Sequence, residues 1–240
     1  NIANVNTEGY SRQRVHLAPP QPTSFSFGQI GRGVTIAEIR RVRDEFLDTV
    51  LRQQTSALGS AEVQQQYFDL LEDSFLEPTE QAFGARMNGF FNALNDFANN
   101  VESASVREAV VAEAEALSTS FNRLAERFEQ LRTNANEEIR NIVPQINALA
   151  ETIAETNRRI RDSELDESVA NDIRDQRDRA LDELSRLVNI NYSQREDGQI
   201  TVRIGSDVLV DETGPRELIT PFNSALDDRR DDLLEIRFAE

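Results

Sequence analysis

Three different spacings of apolar residues divide the chain. Between about Arg40 and Val188 they recur at steps of three and four, the period of an amphipathic helix. After Val188 they alternate at steps of two, the period of a half-buried strand. Residues 1–35 show neither. Gly9, Pro19, Pro20, Pro22, Gly28, Gly31 and Gly33 punctuate that stretch, which reads as an extended connector with one short candidate strand where Val34 and Ile36 flank Thr35.

The first helix is predicted from about Val42 to Leu76, with Phe46, Val50, Leu51, Leu58, Tyr67, Phe68, Leu71 and Phe75 in one broad stripe and Gly59 as a point of interruption. Pro78 stops it. Thr79 then caps a second helix, whose Phe83, Met87, Phe90, Leu94, Phe97 and Val101 alternate by fours and threes. Ser105 followed by Glu108 spells a capping box, in which each side chain satisfies a backbone N–H left over at a helix start, so a third helix begins there. Its Ala114, Leu117, Phe121, Leu124, Phe128 and Leu131 keep heptad spacing until Ala135 and Ile139 insert an extra four-residue step; Ile142, Ile146, Leu149 and Ile153 continue the stripe. Such a step locally unwinds a supercoil, which predicts long antiparallel helices with a drifting seam. Pro144 lies inside the pattern, removes one backbone donor and crowds the Arg140 carbonyl, so it should kink or briefly break the helix. A fourth helix is predicted from about Ser168, with Val169, Ile173, Ala180, Leu184 and Leu187 inward and its acids and arginines outward.

Ile190 and Tyr192, then Ile200, Val202 and Ile204, then Val208 and Val210 form a β-meander turned at Asp197-Gly198 and at Gly205, and Leu234, Ile236 and Phe238 suggest a further strand. The fold class is mainly α: an elongated bundle of long antiparallel helices followed by a small, truncated antiparallel β domain. The domains expected are a connector at 1–35, a helical rod-like domain at 36–189 and the start of a β domain at 190–240. The chain opens on Asn1 with no leader, so it is expected to begin inside a longer protein.

Composition narrows the functional classes. The 240 residues include no Cys and one His, which removes disulfides, thiolate chemistry and most metal constellations, so no cofactor and no enzymatic activity are expected. A net charge of -17 repels phosphate backbones and anionic lipid, so neither nucleic acid nor membrane is an expected partner. All 26 basic residues are Arg, which fits either a saline habitat or codon bias alone.

The candidate chemistry is thin. Gly28-Gln-Ile-Gly31-Arg-Gly33 has the glycine spacing of a dinucleotide fingerprint reversed and reads as a turn. His16 has no second His or Cys to share a metal. The acid clusters Glu164, Asp166 and Glu167, and Asp227, Asp228, Asp231 and Asp232, lack the ligand order of a calcium loop and read as solvated. Asp175, Arg177, Asp178, Arg179, Asp182 and Arg186 place opposite charges at helical neighbours, most simply for solubility and register. Phe83, Phe90, Phe91 and Phe97 read as core rather than as a ligand pocket.

The opening residues add what periodicity does not. Asn1-Ile-Ala-Asn4-Val-Asn-Thr-Glu-Gly9-Tyr10-Ser11-Arg12-Gln13 resembles the N-terminal signature of bacterial flagellar axial proteins. Gly31-Arg-Gly33-Val34-Thr-Ile36 with Arg41-Val-Arg-Asp44-Glu-Phe46 narrows the resemblance to the hook-associated proteins of the hook–filament junction, as do Phe90-Phe91-Asn-Ala-Leu94-Asn-Asp-Phe97, Ser105-Val-Arg107-Glu-Ala109 and Asp172-Ile-Arg-Asp175-Gln176-Arg177-Asp178.

The resemblance implies a structural, non-enzymatic adaptor that joins hook to filament by subunit packing. Its partners would be further copies of itself in a ring, the hook protein and the second junction protein. It would be extracellular, on the flagellum, exported by the type III apparatus without a cleaved signal peptide. The family's terminal helices would lie outside this chain. Asn4, Gly9, Tyr10, Arg12 and Gln13 are the candidate packing residues, placed between inner and outer layers; the plainer alternative is that Tyr10 and Arg12 tether the segment to the chain's own helices. Two other readings stay open, a helical extracellular sensor binding a ligand between its helices and another axial protein of hook or rod.

Overall fold

The computed structural model describes residues 2–4, 7, 9–26, 28–75, 82–164, 170–222 and 234–239. Four strands, β1 (Gln13–Ala18), β2 (Thr23–Phe25), β3 (Gly28–Ile30) and β4 (Thr35–Arg41), precede four helices, α1 (Glu45–Phe75), α2 (Phe83–Asn99), α3 (Ala104–Glu164) and α4 (Asn171–Leu187). Strands β5 (Ile190–Gln194), β6 (Ile200–Ile204), β7 (Asp207–Val210), β8 (Leu218–Ile219) and β9 (Arg237–Phe238) follow. The fold is mainly α with small antiparallel sheets after the helices. No described helix is long and apolar enough to cross a membrane.

The stretch read as a connector is a β-ribbon: β1 pairs antiparallel with β4, and β2 with β3 inside it. The pattern hides it because most of its residues are exposed, so burial imposes little alternation on the sequence. Helix boundaries also move. α1 is capped by Asp44, whose Oδ1 accepts the N–H of Phe46 (3.0 Å) and Leu47 (3.2 Å). α3 starts ahead of the expected box, with the Ser103 carbonyl accepting from Arg107 N–H at 3.2 Å and the Ser105 hydroxyl 3.0 Å from that of Ser103. Pro78, Thr79, Ser168, Val169, Asp166, Glu167 and the Asp227–Asp232 cluster lie outside the described residues.

Neither expected interruption breaks a helix. α1 runs through Gly59, where a Cβ would stand 3.1 Å from the Arg186 carbonyl oxygen; the glycine lets α1 approach the end of α4. α3 continues for 61 residues through Pro144. Pro144 and Arg140 are both exposed, so the carbonyl that loses its donor sits on the wet side of the helix.

The chain divides into two compact units: residues 1–59, 142–221 and 236–240 make one, and 60–141 with 222–235 the other. Nearly all of the buried apolar core lies in the first. There the buried apolar residues are Val143, Ile146, Ala150, Ile153 and Ile160 on α3, Leu181 and Leu184 on α4 and Ile200, Val202, Leu209 and Val210 on the β5–β6–β7 meander, the three elements being tied by Asn157 to Ile200 and Arg177. These α3 positions keep three- and four-residue spacing with Asn157 included, one residue out of phase with the expected Ile142 and Leu149. The drift after Ala135 is therefore real, and the seam that results contains a polar residue.

Asn157 explains its own place. Its amide donates to the Ile200 carbonyl (2.8 Å) and accepts the Ile200 N–H (3.1 Å), so a helix side chain completes both backbone bonds of a strand residue. Asn147 does the same for Leu218, at 2.9 Å in both directions. In the second unit, α1 and α2 both run antiparallel to α3, with edge-on aromatic pairs Phe75–Phe128 and Phe83–Phe121 at 6.0 and 4.8 Å between ring centres. Tyr67 donates to Glu138 at 2.9 Å along the same seam. The α1 stripe is not a buried one: Phe46, Leu51, Leu58 and Phe68 are exposed, and Arg52 is the helix's buried residue.

Replacing Asn157 by Ala strands both backbone groups of Ile200 in a dry interior. The expected loss is about 2–4 kcal/mol of unfolding free energy, read by urea denaturation, against under about 1 kcal/mol for Asn134→Ala on the exposed side of α3.

Candidate interaction site at the N-terminal segment

Of the expected packing residues, Gly9 and Gln13 lie beside α4. Gly9 has φ +75, a left-handed backbone that suits glycine, and a Cβ there would fall on the Cγ and Cδ of Arg179. The Ser11 N–H donates to Asp175 Oδ2 at 3.0 Å in a buried contact, and Gln13 Nε2 reaches Asp172 Oδ1 at 3.5 Å. Val42 N–H donates to the Arg12 carbonyl at 2.7 Å, carrying the β1–β4 pairing one step further. Tyr10 is half-buried and its N–H donates to Thr7, whereas the Asn4 and Arg12 side chains are exposed. Gly9, Ser11 and Gln13 are thus brought onto α4; Asn4 and Arg12 face solvent.

Sequence reasoning missed what holds the segment. α4 buries Asp175, Arg177 and Asp178, residues read as solvated. The signal was present: Arg177 lies between Ile173 and Leu181 at helical spacing, a charge inside the apolar stripe. Arg41 Nη1 bridges Asp175 Oδ1 (2.8 Å) and Asp178 Oδ2 (2.6 Å). Arg43 pairs with Asp48 (2.5 Å) and approaches Asp178 (3.4 Å). Arg52 bonds Asp182 at 2.7 Å and lies 3.6 Å from Asp178, with its guanidinium 5.0 Å over the Tyr192 ring. Burial alone would raise the Asp178 carboxyl, but Arg43, Arg41 and Arg52 outweigh it and hold the group below the usual carboxylate range.

Arg177 is 2% exposed, bonded to Asn157 Oδ1 (3.1 Å) and the Gly198 carbonyl (2.7 Å). Burial lowers its guanidinium to about 10 against the pull of Asp178, so it stays charged at neutral pH. A cavity of about 640 Å³ opens beside this cluster, lined among others by Arg43, Arg52, Arg177, Asp178 and Tyr192. A carboxylate engaged by three guanidiniums is a poor proton acceptor, so the geometry suits a mechanical anchor better than acid–base chemistry. No group of three potential metal-ligating acids or His occurs among the described residues.

A sequence model of the flagellar hook-associated protein FlgK helical domain matches residues 68–237. The chain belongs to the FlgK family. The flagellar hook-associated protein 1 of Bacillus subtilis is 30% identical over 205 residues, covering 82% of this chain and 40% of the relative. That of Salmonella typhimurium is 29% identical over 231 residues, covering 94% and 41%. The solved structure of the flagellar hook junction protein FlgK from Burkholderia pseudomallei superposes with a TM-score of 0.63 at 25% identity, covering 80% of this chain and 33% of that one. The chain therefore spans about two fifths of the length of the curated relatives it matches. The curated relatives are named for association with the flagellar hook, and the solved one for the hook junction.

The anchor should show in the pH dependence of stability. Because the folded pKa of Asp178 is depressed, its stabilisation is complete above the unfolded value of about 4 and disappears as pH falls through the folded one. Asp178→Asn should lower stability at pH 7 by about 3 kcal/mol, since it leaves buried arginines without their counter-charge. Between pH 4 and 2 it should lose less further stability than the parent chain, in melting curves taken across that range.

Proposed function

We propose that the full-length protein joins hook to filament as a ring of copies, bound to the hook protein on one side and the second junction protein on the other. It is exported through the flagellar type III apparatus without a cleaved signal peptide, and it works by packing alone, without catalysis. The observation that carries this reading is the docking of the Gly9–Gln13 segment onto α4 through Ser11–Asp175 and Arg41–Asp175–Asp178. The stretch that resembles the flagellar axial signature, through Ser11, and one that resembles the junction proteins, through Asp175 and Asp178, meet in one buried cluster. In this reading the anchor fixes the segment's path, while Asn4, Tyr10 and Arg12 present side chains for packing between the inner and outer layers of the assembly; Gly9 and Gln13 hold the backbone against α4.

Complementation tests it. The full-length gene should restore filaments to a motile bacterium deleted for its own hook-associated protein 1, provided the host's axial proteins are close relatives. Tyr10→Ala with Arg12→Ala should reduce filament attachment at least about tenfold while shifting the melting temperature by no more than about 2 °C, because the Arg12 side chain is exposed and the anchor bonds are untouched. Arg41→Glu should lose both attachment and stability. Normal filaments on cells carrying the double variant would reduce Tyr10 and Arg12 to tethers.

A further inference from the structure

The ribbon β1–β4 has two unlike faces. A bulge between His16 and Leu17 sets the register so that Val15 lies opposite Ile39 and Leu17 opposite Ile36, which puts four aliphatic side chains on one face. Arg14 opposite Arg40 and His16 opposite Glu38 occupy the other. The aliphatic face is open: Leu17 and Ile36 are 61% and 60% exposed, Val15 and Ile39 48% and 41%. A two-sided ribbon with one consistently apolar, uncovered face is the pattern of a contact surface.

Charge says what fits it. Residues 1–40 carry four Arg against two Glu, a net +2 in a chain of -17, so the remaining residues carry -19; Arg41 already serves Asp175 and Asp178. The described residues of the stretch 60–141 hold 13 acids against six Arg and expose Phe91, Val111 and Phe121. A basic ribbon with an aliphatic face and an acidic helical surface with exposed apolar side chains are complementary both in sign and in chemistry. They belong to different parts of the chain, so a match repeated in one sense from copy to copy is heterologous, the arrangement that gives a ring when the rotation per copy closes.

Resting on the reading above, we propose that the β1–β4 ribbon of one copy docks on the acidic helical surface of residues 60–141 of a second copy, with Val15, Leu17, Ile36 and Ile39 as the apolar contact and Arg14 and Arg32 steering it.

The test is photo-crosslinking in assembled flagella, with benzoylphenylalanine at Leu17 and, separately, at Ile36 of the full-length protein. Adducts should run at twice the monomer mass and join a ribbon peptide to a peptide within residues 60–141. Arg14→Glu with Arg32→Glu, both exposed, should cut the yield at least about fivefold without moving the melting temperature. Adducts confined to one chain, or made only with another flagellar protein on cells that carry filaments, overturn the docking while leaving the junction role intact. Exported, unsubstituted protein on cells without filaments overturns both.

Discussion

Burial of charge on α4 is the constraint on which the first unit depends. α4 is buried around most of its circumference, with Ala180 and Leu184 on one side and Asp175 and Asp178 turned away from them, so whatever covers the helix must also neutralise two carboxylates. Arg41 at the end of β4, Arg43 in the following link and Arg52 on the first turns of α1 supply the cations. Their placement fixes where the ribbon leaves the body, where α1 starts and how it lies along α4. The N-terminal segment is held by the Ser11 N–H on the remaining oxygen of Asp175. A hydrophobic contact in the same place would tolerate sliding; a guanidinium shared between two carboxylates does not.

The same logic runs along α3. Asn147 and Asn157 each supply a donor and an acceptor in the geometry of a peptide group, so Leu218 and Ile200 are held as though by another strand. Asn157 Oδ1 also accepts from Arg177, which reaches on to the Gly198 carbonyl at the β5–β6 turn. Helix hairpin and meander are thereby locked at one register. This matters for a chain whose aliphatic and aromatic content is modest and whose second unit is held by half-exposed phenylalanines.

What could be read from the sequence follows from which interactions have a period. The helices, the meander and its glycine turns were legible because apolar burial repeats every 3.6 or 2 residues. The drift of the α3 seam was legible too, though not its phase, since the residue that sets the phase is Asn157 and hydrophobic counting skips it. Of the ribbon only the start of β4 was legible, at Val34–Ile36; the rest is hidden because its residues are mostly exposed and its apolar positions on β4 are spaced by three across a bulge. The buried cluster on α4 was misread because alternating Asp and Arg on a helix has the same appearance whether each pairs with its neighbour or with a distant strand. Only Arg177, charged in the middle of an apolar stripe, distinguished the two. The candidate segment was found through resemblance, and the partners that hold it, Asp175 and Arg41, through structure alone.

The exclusive use of Arg takes on a local meaning once these contacts are seen. Arg174 meets Glu164 with two parallel bonds, Nε to Oε1 at 2.8 Å and Nη2 to Oε2 at 2.7 Å. Gly198, with φ +77, packs directly against that pair, so a Cβ there would stand 2.9 Å from both partners. Arg52 makes a carboxylate bond, a carbonyl bond and a ring contact from one planar group. A lysine ammonium is a strongly hydrated point charge without the planar fork, and it loses its proton far more readily when buried. At Arg52 and Arg174 the contacts use several atoms of the planar fork at once, and at buried Arg177 the guanidinium's high basicity keeps the charge. At exposed positions such as Arg140 or Arg158 neither demand applies, so a bias of composition or habitat is needed for those.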